Sequence, residues 1–293
     1  MPATGALPNL LIIGAAKCGT TSLHRYLDQH PDISMAGGDG LSAKELRFFT
    51  DPDWRDELDR YARHFSAEVA VRGEATPAYT FYPLHRGVPE RIRALVPEAR
   101  LIYLVRDPVE RIASHWVQRY WGGDRRSFED WMREYDRPDN LLVCPSRYAT
   151  QIEQYLRYFD RSQILILDQR ELRFDRQATL KRVFAFLAVD ETVESPAFDE
   201  ELNARSEKEA LTRFGYELWK RVLGSEARIG RFGRGLPRPV RRAVGRPMRR
   251  ALSRSIETPV IDDRLRAKLT ALLQDEADRF RVLAGRDFPH WSL

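Results

Sequence analysis

Residues 10–22, LLIIGAAKCGTTS, constrain the fold of this 293-residue chain more than any other stretch. Leu10-Leu11-Ile12-Ile13 has the length and β-branching of a strand buried on both faces. Gly14 through Gly19 turns the chain, and Thr20-Thr21-Ser22-Leu23 opens a helix expected to reach about Gln29, before His30-Pro31. A strand, a glycine-bounded loop and a helix N-terminus make an anion cradle. Backbone N–H groups converge there, and the positive end of the helix dipole faces the ligand. The expectation is a P-loop-like phosphate site.

Spacing narrows this. A Walker A loop reads G-x-x-x-x-G-K-[ST], with its lysine after the second glycine. Gly14 and Gly19 keep the glycine spacing, but Thr20 stands in the lysine position and the lysine lies inside the loop as Lys17. A kinase or nucleoside triphosphatase would lose its usual β/γ-phosphate contact by this change. On these residues alone, a glycine turn with a surface lysine is the competing reading.

Downstream, the hydrophobic pattern alternates between strands and helices. Helices are expected at about 53–65, 91–96, 109–120, 128–135, 147–159, 177–187 and 262–282, with strands at 69–71, 100–105 and 163–167. That alternation implies an α/β fold with a mostly parallel central sheet flanked by helices.

The opening stretch resembles the 5′-phosphosulfate loop of sulfotransferases that use 3′-phosphoadenosine 5′-phosphosulfate (PAPS), in the branch holding heparan sulfate sulfotransferases and bacterial relatives. The matching segments are LLIIGAAKCGTTSL with QHPDI, KELRFF, GEATPAYTFYP, RLIYLVRDPVERIASHW and RYATQIEQYLRYFDRSQILIL, between about residues 9 and 189. The resemblance implies one sulfotransferase domain over 1–293, its core at about 9–189, with 190–293 a helical, basic C-terminal extension or lid.

It also implies roles. Lys17 would stabilise charge on the leaving phosphate, and Cys18, Gly19, Thr20, Thr21 and Ser22 would hold the 5′-phosphosulfate. Sulfuryl transfer needs a base for the acceptor's proton and cations where charge accumulates. Glu45 matches the family's proposed base, and Arg47 stands where many relatives carry histidine or glutamine near the acceptor. Glu74 matches a glutamate near the catalytic centre. It reads as a second acid, a partner for Lys17 or Arg47, or an ion-paired structural carboxylate. Ala75 replaces the lysine that follows it in several relatives, so no second active-site cation is expected there. Arg106 and Ser114 would grip the 3′-phosphate, a guanidinium fork and a hydroxyl being suited to a terminal phosphate. Arg205 falls where relatives place a loop over the nucleotide. No metal is expected, because the moving sulfuryl group carries less charge than a phosphoryl group.

The net charge of +5 conceals an asymmetry. Residues 220–254 hold twelve Lys/Arg and one acid, Glu226, a net +11, so the remainder carries −6. That suggests a local anionic or peripheral-membrane contact, or an acceptor contact, rather than nucleic-acid binding. No apolar run approaches the ~20 residues of a membrane span. The N-terminal MPATGALPNLL lacks the basic and apolar regions of a secretory signal, and two cysteines, Cys18 and Cys144, suit a reducing cytoplasm. Nothing in the sequence distinguishes a small-molecule, lipid or carbohydrate acceptor. Two other functions compete: a P-loop nucleotide kinase, and a nucleotide-binding module without catalysis.

Overall fold

Strand β1 (Leu10–Gly14) is buried along its whole length. That is why its sequence is a continuous apolar run rather than an alternating one. It pairs in parallel with β3 (Val71–Ala75) on one edge and β4 (Arg100–Val105) on the other. With β2 (Ile33–Met35) beyond β3 and β5 (Ile164–Asp168) beyond β4, the order is β2-β3-β1-β4-β5, every pairing parallel. The expected α/β fold with its parallel sheet is therefore present. The chain crosses from one side of β1 to the other between β3 and β4, which puts the crevice at the carboxyl end of the strands around β1.

The computed structural model describes residues 6–37, 45–199 and 257–293, with the backbone of two short strands near 210 and 254. Contacts divide the chain into two units. The first, 1–115, 133–202 and 261–293, contains the sheet. Its helices are α1 (Thr20–Leu27), α2 (Leu58–Ala62), α3 (Val88–Leu95) and the start of α4 (Pro108–Trp121), then α6 (Tyr148–Leu156), α7 (Gln169–Phe174), α8 (Arg176–Leu187) and α9 (Asp263–Ala284). The second unit, 116–132 and 203–260, holds the rest of α4, helix α5 (Phe128–Met132) and the antiparallel strands β6 (Glu209–Leu211) and β7 (Ser253–Ser255). Arg205 and nearly all of the basic segment 220–254 lie outside the described residues. Among the described residues, no helix is long and apolar enough to cross a membrane.

Some elements differ from expectation for identifiable reasons. The strand expected at 69–71 lies at Val71–Ala75, so Gly73 and Glu74, poor strand formers, are inside it. Pairing holds them: Gly73 stands opposite Leu10 and Met35 and Glu74 opposite Leu11, and an added Cβ at Gly73 would meet the Met35 sulfur at 2.6 Å. The helix expected over 53–65 is a 3₁₀ turn, Trp54–Glu57, leading into the short α2. Trp54, Tyr61 and Phe65 are nevertheless buried. Strand β2 and helix α7 are additions, and α7 carries a readable start signal. Asp168 accepts from Arg170 N at 2.7 Å while Glu171 accepts from Asp168 N at 3.2 Å, a D-x-x-E capping box.

The terminal helix α9 packs on α6. There the buried Glu276 accepts from Thr150 N at 2.9 Å and Thr150 Oγ1 at 2.5 Å. Beyond it, Trp291 stacks on Phe288 and Phe280, and His290 Nε2 lies 2.9 Å from the buried Asp168 carboxylate.

Gly14 ends β1 where a Cβ would sit 2.1 Å from Thr80 Oγ1 and 3.1 Å from the Tyr103 ring. Gly14→Ala should therefore destabilise the fold by about 1–3 kcal/mol. Adding Thr80→Ala should recover part of that loss. Urea denaturation of the single and double variants measures both.

Candidate active site

The loop between β1 and α1 begins with a slip in register. Ile12 stands opposite Ile102, but Gly14 stands opposite Tyr103. Ala15 N then donates to the Leu104 carbonyl at 2.6 Å, tying the turn to β4. Cys18 N donates back to the Ala15 carbonyl at 3.2 Å. Lys17 (φ 72°) and Gly19 (φ 93°) both take the left-handed conformation, and for a lysine this is a cost of order 1–3 kcal/mol that its surroundings must hold. The first bond of α1 runs from Leu23 N to the Gly19 carbonyl at 3.0 Å. The N–H groups of the preceding turn therefore have no intrahelical acceptor and mark the anion-facing end. Thr20 is buried, while Lys17, Gly19, Thr21 and Ser22 are half-buried. Burial pushes the Cys18 thiol up to about 11, against the nearby Arg111 and Arg106 charges, so Cys18 serves the loop as a neutral, buried group.

Glu74 sits at the end of β3, fully buried, one strand away from this loop. Its carboxylate accepts from Tyr61 OH at 2.6 Å, Tyr79 OH at 2.7 Å and Thr76 Oγ1 at 2.7 Å. Those partners are neutral hydroxyls, which satisfy the carboxylate hydrogen bond by hydrogen bond. Burial pushes the Glu74 carboxyl above its usual range, the three hydroxyls pull it back, and the Glu45 charge pushes it up again. That last effect places Glu45 and Glu74 in one electrostatic neighbourhood.

The same hydroxyls hold the segment that carries Glu45. Thr76 Oγ1 accepts from Arg47 N at 3.2 Å, and Tyr79 OH accepts from Phe49 N at 3.4 Å. Phe48 stacks on the Tyr61 ring with centroids 3.8 Å apart. Arg47 itself is left-handed (φ 54°) and lies 3.5 Å from Glu45 Oε2. With the Arg47 side chain 64% exposed, this pair is a solvent-screened contact and does not lock Glu45 in place.

On the other side of β1, Arg106 follows the last residue of β4 and its side chain is 10% exposed. Tyr148 OH donates to the Arg106 carbonyl at 2.9 Å and accepts from Arg106 N at 3.4 Å, fixing the main chain there. The guanidinium pairs with Glu110, one helical turn before Ser114 on the same side of α4. Arg106 Nε is buried without a hydrogen-bond partner among the described residues. An unpaired buried donor is costly. A phosphate oxygen would satisfy it, in competition with a Glu110 side chain that is 62% exposed and can move into water. The residues present therefore fit a terminal phosphate.

The structure thus gathers the predicted residues into two groups on either side of the Lys17–Ser22 loop: Glu45, Arg47 and Glu74 beside β3, and Arg106 with Ser114 beside β4. Four contributors had not been foreseen. Thr76, Tyr61 and Tyr79 form the hydroxyl shell of Glu74, and Arg111 lies fully buried beneath the loop. The signal for Arg111 was available, since it shares the inward side of α4 with Pro108 and His115, three and four residues away.

A family model described as the sulfotransferase family matches residues 8–193. The bifunctional heparan sulfate N-deacetylase/N-sulfotransferase 1 of Mus musculus is 30% identical over 204 residues, covering 64% of this chain and 23% of that protein. The corresponding enzyme 2 of Bos taurus is 28% identical over 199 residues, covering 62% of this chain and 22% of that protein. The chain thus spans less than a quarter of the length of these curated relatives. The crystal structure of a sulfotransferase from Alicyclobacillus acidocaldarius shares the fold with a TM-score of 0.65 at 24% identity, over 98% of this chain and 100% of that one.

The raised folded-state pKa of Glu74 gives a signed pH dependence. The stability it contributes is fully present below its unfolded value of 4.5 and is lost as pH rises through the folded value. Glu74→Gln should remove that dependence, so the stability difference between parent and variant should shift in the variant's favour from acidic to neutral pH. Denaturant titrations across that range measure it.

Proposed function

Since the chain belongs to the sulfotransferase family, we propose that it moves a sulfuryl group from PAPS to an acceptor hydroxyl, less readily an amine. When bound, PAPS supplies the sulfuryl group, and adenosine 3′,5′-bisphosphate is the other product. The observation that carries this reading is Arg106: a buried guanidinium with an unsatisfied Nε, one strand from an anion-binding loop. With Ser114 it forms a second phosphate grip, for which ATP has no group. A kinase reading is disfavoured by this second grip and by Thr20 in the Walker lysine position.

Each residue then has one task. The N–H groups of Cys18 to Ser22, with the Thr20 and Thr21 hydroxyls, hold the 5′ end. Lys17 stabilises negative charge growing on the leaving oxygen. Glu45, with its side chain 25% exposed and the chain just after it pinned at Arg47 N by Thr76 and at Phe49 N by Tyr79, takes the acceptor's proton. Glu74 lies beside the reacting centre as the carboxylate to which the Glu45 segment is tied. Arg47 faces the acceptor side, and Arg205 is assigned to the nucleotide phosphates by its position in the sequence. No metal is invoked.

The acceptor classes are carbohydrate, lipid and small molecule. The names of the relatives put heparan sulfate, an anionic carbohydrate, first among them. The basic composition of 220–254 agrees with an anionic acceptor or a membrane surface. Two free, buried cysteines agree with a cytoplasmic home.

Calorimetric titration without magnesium tests the donor. The parent should bind adenosine 3′,5′-bisphosphate more tightly than ATP or AMP, and Arg106→Ala should abolish that preference. Lys17→Ala should retain a nucleotide site while lowering turnover by about 10²–10³-fold, as expected for one preorganised electrostatic contact. Glu45→Gln should lose turnover with binding intact. Tighter binding of ATP, restored by magnesium, would overturn the assignment in favour of the kinase.

A further inference from the structure

Arg111 is the largest fully buried side chain among the described residues, with 0% exposure. Its Nε donates to Ser146 Oγ at 2.6 Å, and one Nη donates to the Leu142 carbonyl. The other Nη donates to the Ala16 carbonyl at 3.4 Å and to His115 Nδ1 at 3.3 Å. Every nitrogen is therefore hydrogen-bonded, yet among the described residues no carboxylate pairs with it. The ionisable groups closest in effect are Tyr148, Cys18, Cys144 and Tyr103. Burial pushes Cys18 up to about 11 and Cys144 to about 12, and raises both tyrosines, so these groups stay neutral.

A buried charge without a counter-charge costs a fold several kcal/mol. Of its four partners, one belongs to the anion-binding loop: the carbonyl of Ala16, the residue before Lys17. Its zero exposure keeps it from touching a ligand, so any influence on the site passes through that carbonyl and through the field of its charge. Arg106, by contrast, keeps a buried Nε without a hydrogen-bond partner among the described residues.

We propose that Arg111 is the buried counter-charge of the phosphate loop: the 5′ end of the donor nucleotide compensates it, and Arg111 positions the Ala16–Lys17 turn through the Ala16 carbonyl. This rests on the donor reading above and adds a positioning residue to it. The two arginines then divide the nucleotide, with Arg106 serving the 3′-phosphate and Arg111 the 5′ end.

The test compares adenosine 3′,5′-bisphosphate with adenosine 3′-monophosphate, which lacks the group that enters the loop. Affinities are measured calorimetrically for the parent, Arg111→Gln and Arg111→Lys. Arg111→Gln should weaken the bisphosphate roughly tenfold, the scale of one charge acting through a partly dry interior, and leave the monophosphate unchanged. Arg111→Lys should recover much of the loss by restoring charge, and Arg106→Ala should weaken both nucleotides. Equal weakening of both nucleotides by Arg111→Gln, no weakening, or a lysine variant no better than glutamine would overturn the proposal. A parent with no preference for the bisphosphate would overturn the donor reading and this proposal together. Should Arg111→Gln fail to fold, Ser146→Ala removes one tether of the guanidinium while keeping its charge. Selective loss of the bisphosphate in that variant supports the proposal, and unchanged affinity for both nucleotides overturns it.

Discussion

Strand β1 is hydrogen-bonded on both edges at once, to β3 through Leu10, Leu11 and Ile12 and to β4 through the same residues and Gly14. A loop leaving such a strand has no freedom to swing toward either side. Ala15 is caught by the Leu104 carbonyl, and Thr76 N reaches back to the Ile12 carbonyl at 3.1 Å. The carboxyl ends of three adjacent strands therefore meet around one turn. Burial of an apolar strand, a non-directional force, is converted by pairing into a fixed address for charged side chains. The segment carrying Glu45 and the Arg106 side chain stand on opposite sides of the loop because β3 and β4 do.

The site holds two buried ionisable groups of opposite formal sign that are satisfied in different ways. Glu74 is surrounded by three hydroxyl donors, which suit a carboxylate hydrogen bond by hydrogen bond and bring no cation. Arg111 is surrounded by carbonyls, a hydroxyl and an imidazole nitrogen, which do the same for a guanidinium and bring no anion. Each group organises chain segments distant in sequence: Glu74 through the shell of residues 61, 76 and 79, Arg111 through residues 16, 142 and 146. Both groups are met by hydrogen bonds from neutral partners, with no ion pair on either among the described residues.

How much was legible from sequence follows from how local each signal is. The β1–loop–α1 unit was readable because strand burial, glycine turn and helix start all lie within thirteen residues. Arg106 was readable because it directly follows an unmistakable strand. Strand β3 starts two residues and ends four residues later than expected, since Gly73 and Glu74 have low intrinsic preference for strand and are held there by neighbours 38 to 63 residues earlier. The hydroxyl shell of Glu74 was not legible, because Tyr61, Thr76 and Tyr79 converge only in three dimensions. Arg111 ran against the strongest prior of all, that arginine stays at the surface. The capping box of α7 and the inward position of Arg111 on α4 were local signals that a closer projection would have revealed.

Tyr148 acts as a mechanical part of the fold. Its hydroxyl holds both backbone groups of Arg106 and lies 3.7 Å from Cys18 Sγ in the phosphate loop. The ring is buried between Tyr103, Phe280 and Trp291, so it has no room to tilt. One rigid aromatic strut thus braces the two anion-facing ends against each other. Neither end can loosen by itself: a fluctuation that frees one must lift the strut and so disturb the other, and the separation between them behaves as a single stiff dimension of the molecule.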